Sequence, residues 1–242
     1  QSLGITHIAE QTRKLVVQTD FHRLLIKGML SFLLFAGSLT IDFNMLRRNR
    51  WEIGTLASLS TIVSALIIGT ITHYALPLLG LHLPLLYCFL FGALISPTDP
   101  IAVIATFKEI GAPKKLEICV AGESLFNDGV GIVIFITLYQ LTFQGAPITF
   151  KNVSFLFLQQ AVGGLTYGAI LGFIANYLIQ HARDHKIAIL VTLTIVTGGY
   201  SLALTLNISG ALAMVVAGIF VGNKVRNMHD SHFRQTLDTF WE

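Results

Sequence analysis

Six stretches of the chain, at about residues 24–41, 51–75, 83–107, 116–141, 153–180 and 187–206, are apolar over enough length to cross a hydrocarbon core about 30 Å thick at about 1.5 Å per residue. Lipid offers no partner to a backbone N–H or C=O, so each stretch is expected to be a helix. A shorter apolar stretch follows at about 208–222. The first and last of the six are marginal in length, which predicts tilt or partial spanning there. With 53% hydrophobic and 12% charged residues in 242, the chain has too little polar surface for a water-soluble fold of its size. The predicted fold class is an all-α polytopic membrane protein.

Charge placement supplies the orientation. The loops 46–52, 108–117, 181–186 and 223–234 hold eleven of the sixteen Lys and Arg, whereas the connections 76–82, 142–152 and 207–209 hold only Lys151, so the four basic loops are expected to face the cytoplasm. Arg13, Lys14, Arg23 and Lys27 fall on the other side in this scheme. The net charge of +3 is spread over short loops rather than gathered on one face, which argues against a nucleic-acid partner. Cys88 and Cys119 lie in apolar surroundings without metal-ligand spacing and are expected to be buried free thiols. His181/His185 and His229/His232 have helical spacing but no third ligand nearby and read as solvated loop residues. Residues 1–20 are mixed polar and fit the membrane interface or the end of a further span. The stretch 223–242 alternates Phe233, Leu237, Phe240 and Trp241 with polar residues, as an interfacial cytoplasmic helix would.

The third apolar stretch contains Ser96-Pro97-Thr98-Asp99-Pro100. Pro97 and Pro100 carry no amide hydrogen, so the carbonyls of Ala93 and Ser96 lose their helical donors, and each ring clashes with the preceding turn. Two half-helices are therefore expected to meet inside the membrane, the second with Asp99 as N-cap and Pro100 at its first position. Broken spans of this kind mark ion and substrate sites in secondary transporters.

The fourth stretch reads Gly122-Glu123-Ser124-Leu125-Phe126-Asn127-Asp128-Gly129. At 100° per residue, Glu123, Ser124, Asn127 and Asp128 fall within an arc of about 140°, with Asp128 about 18 Å along a helix that starts near Leu116. Together with Asp99 this places three carboxyls at depth, each costing about 3 kcal/mol unless it meets protein, water or a cation. The Asp128 carboxylate, the Ser124 hydroxyl and the backbone around Thr98 are the oxygen ligands a hard cation such as sodium requires. A single carboxylate that takes either a cation or a proton makes the two compete, and their exchange moves no net charge. Asp99 fits a helix cap and direct ion contact equally well. Asn127 suits positioning a neighbour, Glu123 suits a paired structural acid, and Asp128, without a cationic neighbour in sequence, suits transport. Asp99 and Asp128 on adjacent spans also raise an intramembrane aspartyl protease, although no Gly-x-Gly precedes either acid. No enzymatic motif and no cofactor-binding motif is present, so the chain reads as a transporter rather than an enzyme.

Both motifs, in this order and spacing, resemble those of the cation/proton antiporter superfamily in its sodium/proton exchanger branch, and the span pattern agrees over residues 20–242. The resemblance implies that Asp128 is the shared cation and proton site, with Ser124 and Thr98 near the ion and Asn127 and Asp99 in support. It implies electroneutral exchange, since Asn127-Asp128 stands where electrogenic relatives have two Asp. It also implies an elevator-like core moving against a dimerising scaffold in a bacterial inner membrane, the core being built from two inverted repeats. Residues 51–141 would be one repeat, 21–50 a preceding span with its basic loop, and 153–222 scaffold spans with a possible dimer interface. The second repeat, with an Arg to pair with Glu123, is expected beyond Glu242. Many relatives carry Glu at the position of Ala36, so a first-span contribution to the site is in question. Gly164, Gly168 and Gly172 line one face of the fifth stretch, for contact within the chain or between two copies.

Overall fold

The computed structural model describes residues 28–99, 103, 106–107, 109–143, 147–181, 185–226 and 231–241. The interfacial reading of 1–20, the helical start at Pro100 and the pair His229/His232 lie wholly or partly outside them. Among the described residues every regular element is helical: α1 (Leu30–Leu39), α2 (Phe43–Arg48), α3 (Arg50–Thr55), α4 (Thr61–Ala75), α5 (Leu85–Ile95), α6 (Lys114–Phe143), α7 (Phe150–His181), α8 (His185–Thr194), α9 (Tyr200–Thr205), α10 (Gly210–Arg226) and α11 (Ser231–Trp241). A π-helical turn at Leu56–Ser60 joins α3 to α4, and another at Ile195–Gly199 joins α8 to α9. Among the described residues four helices are long and apolar enough to cross a membrane: Arg50–Leu79, Lys114–Phe143, Phe150–His181 and Lys186–Thr205.

Local chemistry sets the boundaries. Asp42 caps α2, its carboxylate accepting from the amides of Asn44 at 2.8 Å and Met45 at 3.2 Å. Gly80, left-handed at φ 76°, closes the helix that ends at Leu79. Asn207, at φ 53°, makes the turn between α9 and α10, a conformation its short polar side chain tolerates.

The core is centred on α10, where twelve of seventeen residues are buried. The sequence marks this stretch only as a short helix ending near Gly222, yet it runs to Arg226 and is enclosed by protein on most sides. Its Gly and Ala residues explain both facts, because small side chains lower hydropathy while letting neighbouring helices approach closely. The Gly164, Gly168, Gly172 stripe of α7 is buried against it, facing Ser209 and Leu212, Ala213, and Ala217 and Phe220 in turn. α1 covers another side, with Gly218 against Ser38 and Gly222 against Leu39. The stripe is thus occupied within the chain.

α4, α5 and α6 form the neighbouring group. A Cβ on Gly92 would lie 2.9 Å from the Gly69 nitrogen, so α4 and α5 cross backbone to backbone. By contrast, Leu59, Leu66, Ile67 and Ile71 of the Arg50–Leu79 helix face outward, as suits lipid.

Contacts sort the connections onto two ends. At one, Lys115 pairs with Glu52 at 3.2 Å, and Arg226 lies 3.5 Å from Asp42 and donates to the Thr40 carbonyl at 2.8 Å. At the other, Gln159 donates to the Asn207 carbonyl at 3.5 Å and Tyr87 meets Phe143 at 5.5 Å between rings. The basic loops around 47–50, 114–115 and 224–226 share the first end, as the charge pattern predicts. One expectation needs correction. Cys119 is half-buried with its thiol 3.8 Å from Glu52, since it lies near the polar end of α6. The apolar edge of α11 is partly covered by the chain itself: Leu237 is buried, and the Trp241 ring lies tilted against Phe35 with centroids 4.9 Å apart and donates to Thr192 at 3.2 Å.

Candidate functional site

α5 ends at Ile95, and residues 96–99 are non-helical, as the proline pair requires. Ser96 is buried and its hydroxyl donates to the orphaned Ala93 carbonyl at 3.4 Å, taking the place of the amide that Pro97 lacks. The Pro97 ring rests on bare backbone at Gly131, where a Cβ would lie 3.3 Å from Pro97 Cδ and closer still to Cγ. Gly131 follows Ser124 and Asn127 at i+7 and i+4, so one face of α6 offers two polar groups and a recess for the ring. That glycine is the signal in the sequence that reading for chemistry alone passes over.

The unwound segment is tied to α6 through Thr98. The Ser124 hydroxyl donates to the Thr98 carbonyl, and Asn127 Nδ2 donates to Thr98 Oγ1 at 2.8 Å and to Glu123 Oε1 at 3.0 Å. A carboxylate can only accept, which settles the amide orientation with Nδ2 toward Glu123. Ser124 and Asn127 are buried at 2% and 1% exposure. Asn127 Oδ1 is buried with no hydrogen-bond partner among the described residues. Thr98 and Asp99 are exposed, whereas Glu123 and Asp128 are half-buried.

Asp128 lies midway along the thirty residues of α6, within electrostatic range of the carboxyls of Asp99 and Glu123. On its far side α6 continues into Gly129, which packs on Leu212 of α10. The helix carrying the acid is therefore held between the unwound segment and the centre of the fold. Glu123, for which the sequence asks a cation, accepts here from Asn127. The pairing of Asp99 with the start of the downstream half-helix falls outside the described residues, and Ala36, half-buried on α1, supplies no polar atom.

Each oxygen at this junction keeps capacity for a further ligand. The Thr98 carbonyl has a second lone pair, the Ser124 hydroxyl donates once and can still accept, and Asn127 Oδ1 is uncommitted. Carboxylate, hydroxyl and carbonyl oxygens gathered beside a broken helix suit a hard monovalent cation or a proton.

An all-helical membrane protein with a broken span is the class this fold and junction define. Residues 7–242 match the family described as sodium/hydrogen exchanger, transmembrane, and the chain belongs to that family. It is 39% identical over 241 residues to the Na(+)/H(+) antiporter NhaP of Pseudomonas aeruginosa, covering 99% of this chain and 57% of that protein. To the Na(+)/H(+) antiporter NhaH of Halobacillus dabanensis it is 33% identical over 247 residues, covering 99% and 60%. The structure of the sodium proton antiporter MjNhaP1 from Methanocaldococcus jannaschii at pH 8 superposes with a TM-score of 0.72 at 24% identity, over 88% of this chain and 51% of that one. The sodium/proton antiporter fold and the multi-pass membrane character follow. The chain spans about three fifths of the length of these curated relatives.

Proposed function

We propose that the full-length protein exchanges a monovalent cation, sodium, for a proton across the bacterial inner membrane, with Asp128 as the group that carries either one. The observation that supports this reading best is the junction itself: a half-buried carboxylate at mid-helix beside Ser124, which is tied to the unwound Thr98. The relatives' names give the same ion pair. Residues 51–141 would move as the transport core against the 153–222 scaffold of a homodimer.

Coupling follows from electrostatics. Moving a bare carboxylate through apolar surroundings costs several kcal/mol, so the unloaded carrier is slowed by roughly a thousandfold at about 4 kcal/mol. Sodium or a proton removes that charge, and only the two loaded forms cross readily. Asn127 is neutral, so one carboxylate changes state and the exchange is one for one. The family match gives the aspartyl protease reading of Asp99 and Asp128 no support.

In vesicles holding the full-length protein, an inward sodium gradient is expected to drive proton efflux without a membrane current. Dissipating the membrane potential should leave the rate unchanged; a rate that follows the potential would refute one-for-one exchange. Because protons and sodium compete for one carboxylate, acid weakens sodium binding. Once the protonated form dominates, the apparent sodium affinity should fall about tenfold per pH unit. An affinity independent of pH would rule out a shared site.

Ser124→Ala removes the donor to the Thr98 carbonyl and a candidate sodium ligand together. Losing a buried hydrogen bond costs about 1–3 kcal/mol. The sodium KM is expected to rise about tenfold while the maximal rate changes little. Flux measured against sodium concentration checks this.

A further inference from the structure

Between the α4–α6 group and the start of α7 runs an apolar groove of about 540 Å³, walled by Ile62 and Leu66 of α4, Phe89 of α5, Leu138 of α6, and Phe157 and Leu158 of α7. Its size is that of a pocket for a substantial organic ligand, about 300–1,000 Å³. The Thr137 hydroxyl on its wall is already spent on the Val133 carbonyl at 2.8 Å. Ser154 is the other hydroxyl on the wall, and a single such group falls short of the two to four partners a water needs, so the groove suits an apolar guest. It opens sideways, with Leu66 50% and Leu158 56% exposed, in helices long enough to be surrounded by hydrocarbon.

One charge stands at its mouth. Lys151 follows Phe150 and precedes Ser154 and Leu158 by three and seven residues on α7, all three of which line the groove, so it stands at the groove's edge at the start of the helix. It is exposed, and it is the single Lys or Arg in the connections 76–82, 142–152 and 207–209. An apolar slot with a cation at its water-facing mouth is complementary to an amphiphile with an anionic head and a hydrocarbon tail.

We propose that this groove binds one acyl chain of an anionic phospholipid from the leaflet opposite the basic loops, with the lipid phosphate at Lys151. Binding does not depend on the transport reading. If that reading holds, the acyl chain fills the seam along which residues 51–141 slide past α7, and its occupancy sets how readily they do so.

The test uses the full-length protein in nanodiscs containing a trace of phosphatidylglycerol with a photoreactive diazirine on its acyl chain, or the matching phosphatidylcholine, followed by mapping of adducts. Adducts on the peptides bearing Ile62, Leu66 and Leu158 are expected, several-fold more from phosphatidylglycerol. Lys151→Glu should lower that yield to the phosphatidylcholine level, and Lys151→Arg should keep it. Equal yields from both lipids, unaffected by Lys151→Glu, would overturn the proposal. So would groove labelling no higher than at Ile170 and Phe173, exposed elsewhere on α7, because another part of the protein would then fill the groove. Labelling is read without ion flux, so it fails or succeeds separately from the exchange assay.

Discussion

Asp128→Asn in the full-length protein is expected to reduce sodium-driven proton release to the level of protein-free vesicles, a loss of at least about a hundredfold. The amide keeps the shape and can still offer an oxygen to sodium, but it cannot take up and release a proton, so coupling ends even where some sodium binding survives. Stability should move the other way. An acid at depth costs about 2.5–3.5 kcal/mol on insertion scales, and a neutral amide relieves part of that, so the Tm should hold or rise. The pair of readouts separates transport from structure: a lost fold would lower both, and retained exchange would remove Asp128 from the mechanism. Glu123→Gln is the companion variant. Its amide oxygen can still accept from Asn127 Nδ2, so exchange should persist at a reduced rate.

Gly168→Leu is expected to cost about 3 kcal/mol or more, lowering the Tm by roughly 6–12 °C, or to prevent folding altogether. A first side-chain carbon at this position would meet Ala213 Cα at 2.7 Å and its carbonyl carbon at 3.0 Å, which are backbone atoms that cannot rotate away. α7 and α10 would have to separate, and with them the contacts that enclose Met214, Val215 and Ala217. Gly54→Ala is the control, since nothing lies within 4 Å of a Cβ there. It should be neutral or slightly stabilising, as expected for Gly→Ala within a helix. A thermal shift series in detergent distinguishes the two, and equal behaviour would mean that α7 and α10 do not pack as described.

Much of the candidate site was legible before any fold. Prolines at 97 and 100 must break a helix in lipid, and Ser124, Asn127 and Asp128 must share a face at helical spacing, because both consequences are local. What spacing cannot show is which groups on that face already spend their hydrogen bonds. Asn127 ties Thr98 to Glu123, and Ser96 takes over the Ala93 carbonyl; both depend on where the unwound segment lies against α6. The misjudged Cys119 and the partners of Trp241 have similar causes. Cys119 is apolar in sequence context but lies one turn from Lys115, and Trp241 finds its partners on α1 and α8, far away in the chain.

The sequence by itself determined that the chain is helical and lipid-embedded, where it breaks, and which face of the fourth span is polar, since backbone satisfaction and a 3.6-residue period act over a few residues. Only the tertiary structure decided that the modest stretch at 210–226 is the centre, that the α7 glycines are used within the chain, and that Pro97 seats on Gly131. Close packing is a relation between surfaces distant in sequence, and small residues announce that an approach is possible without naming the partner.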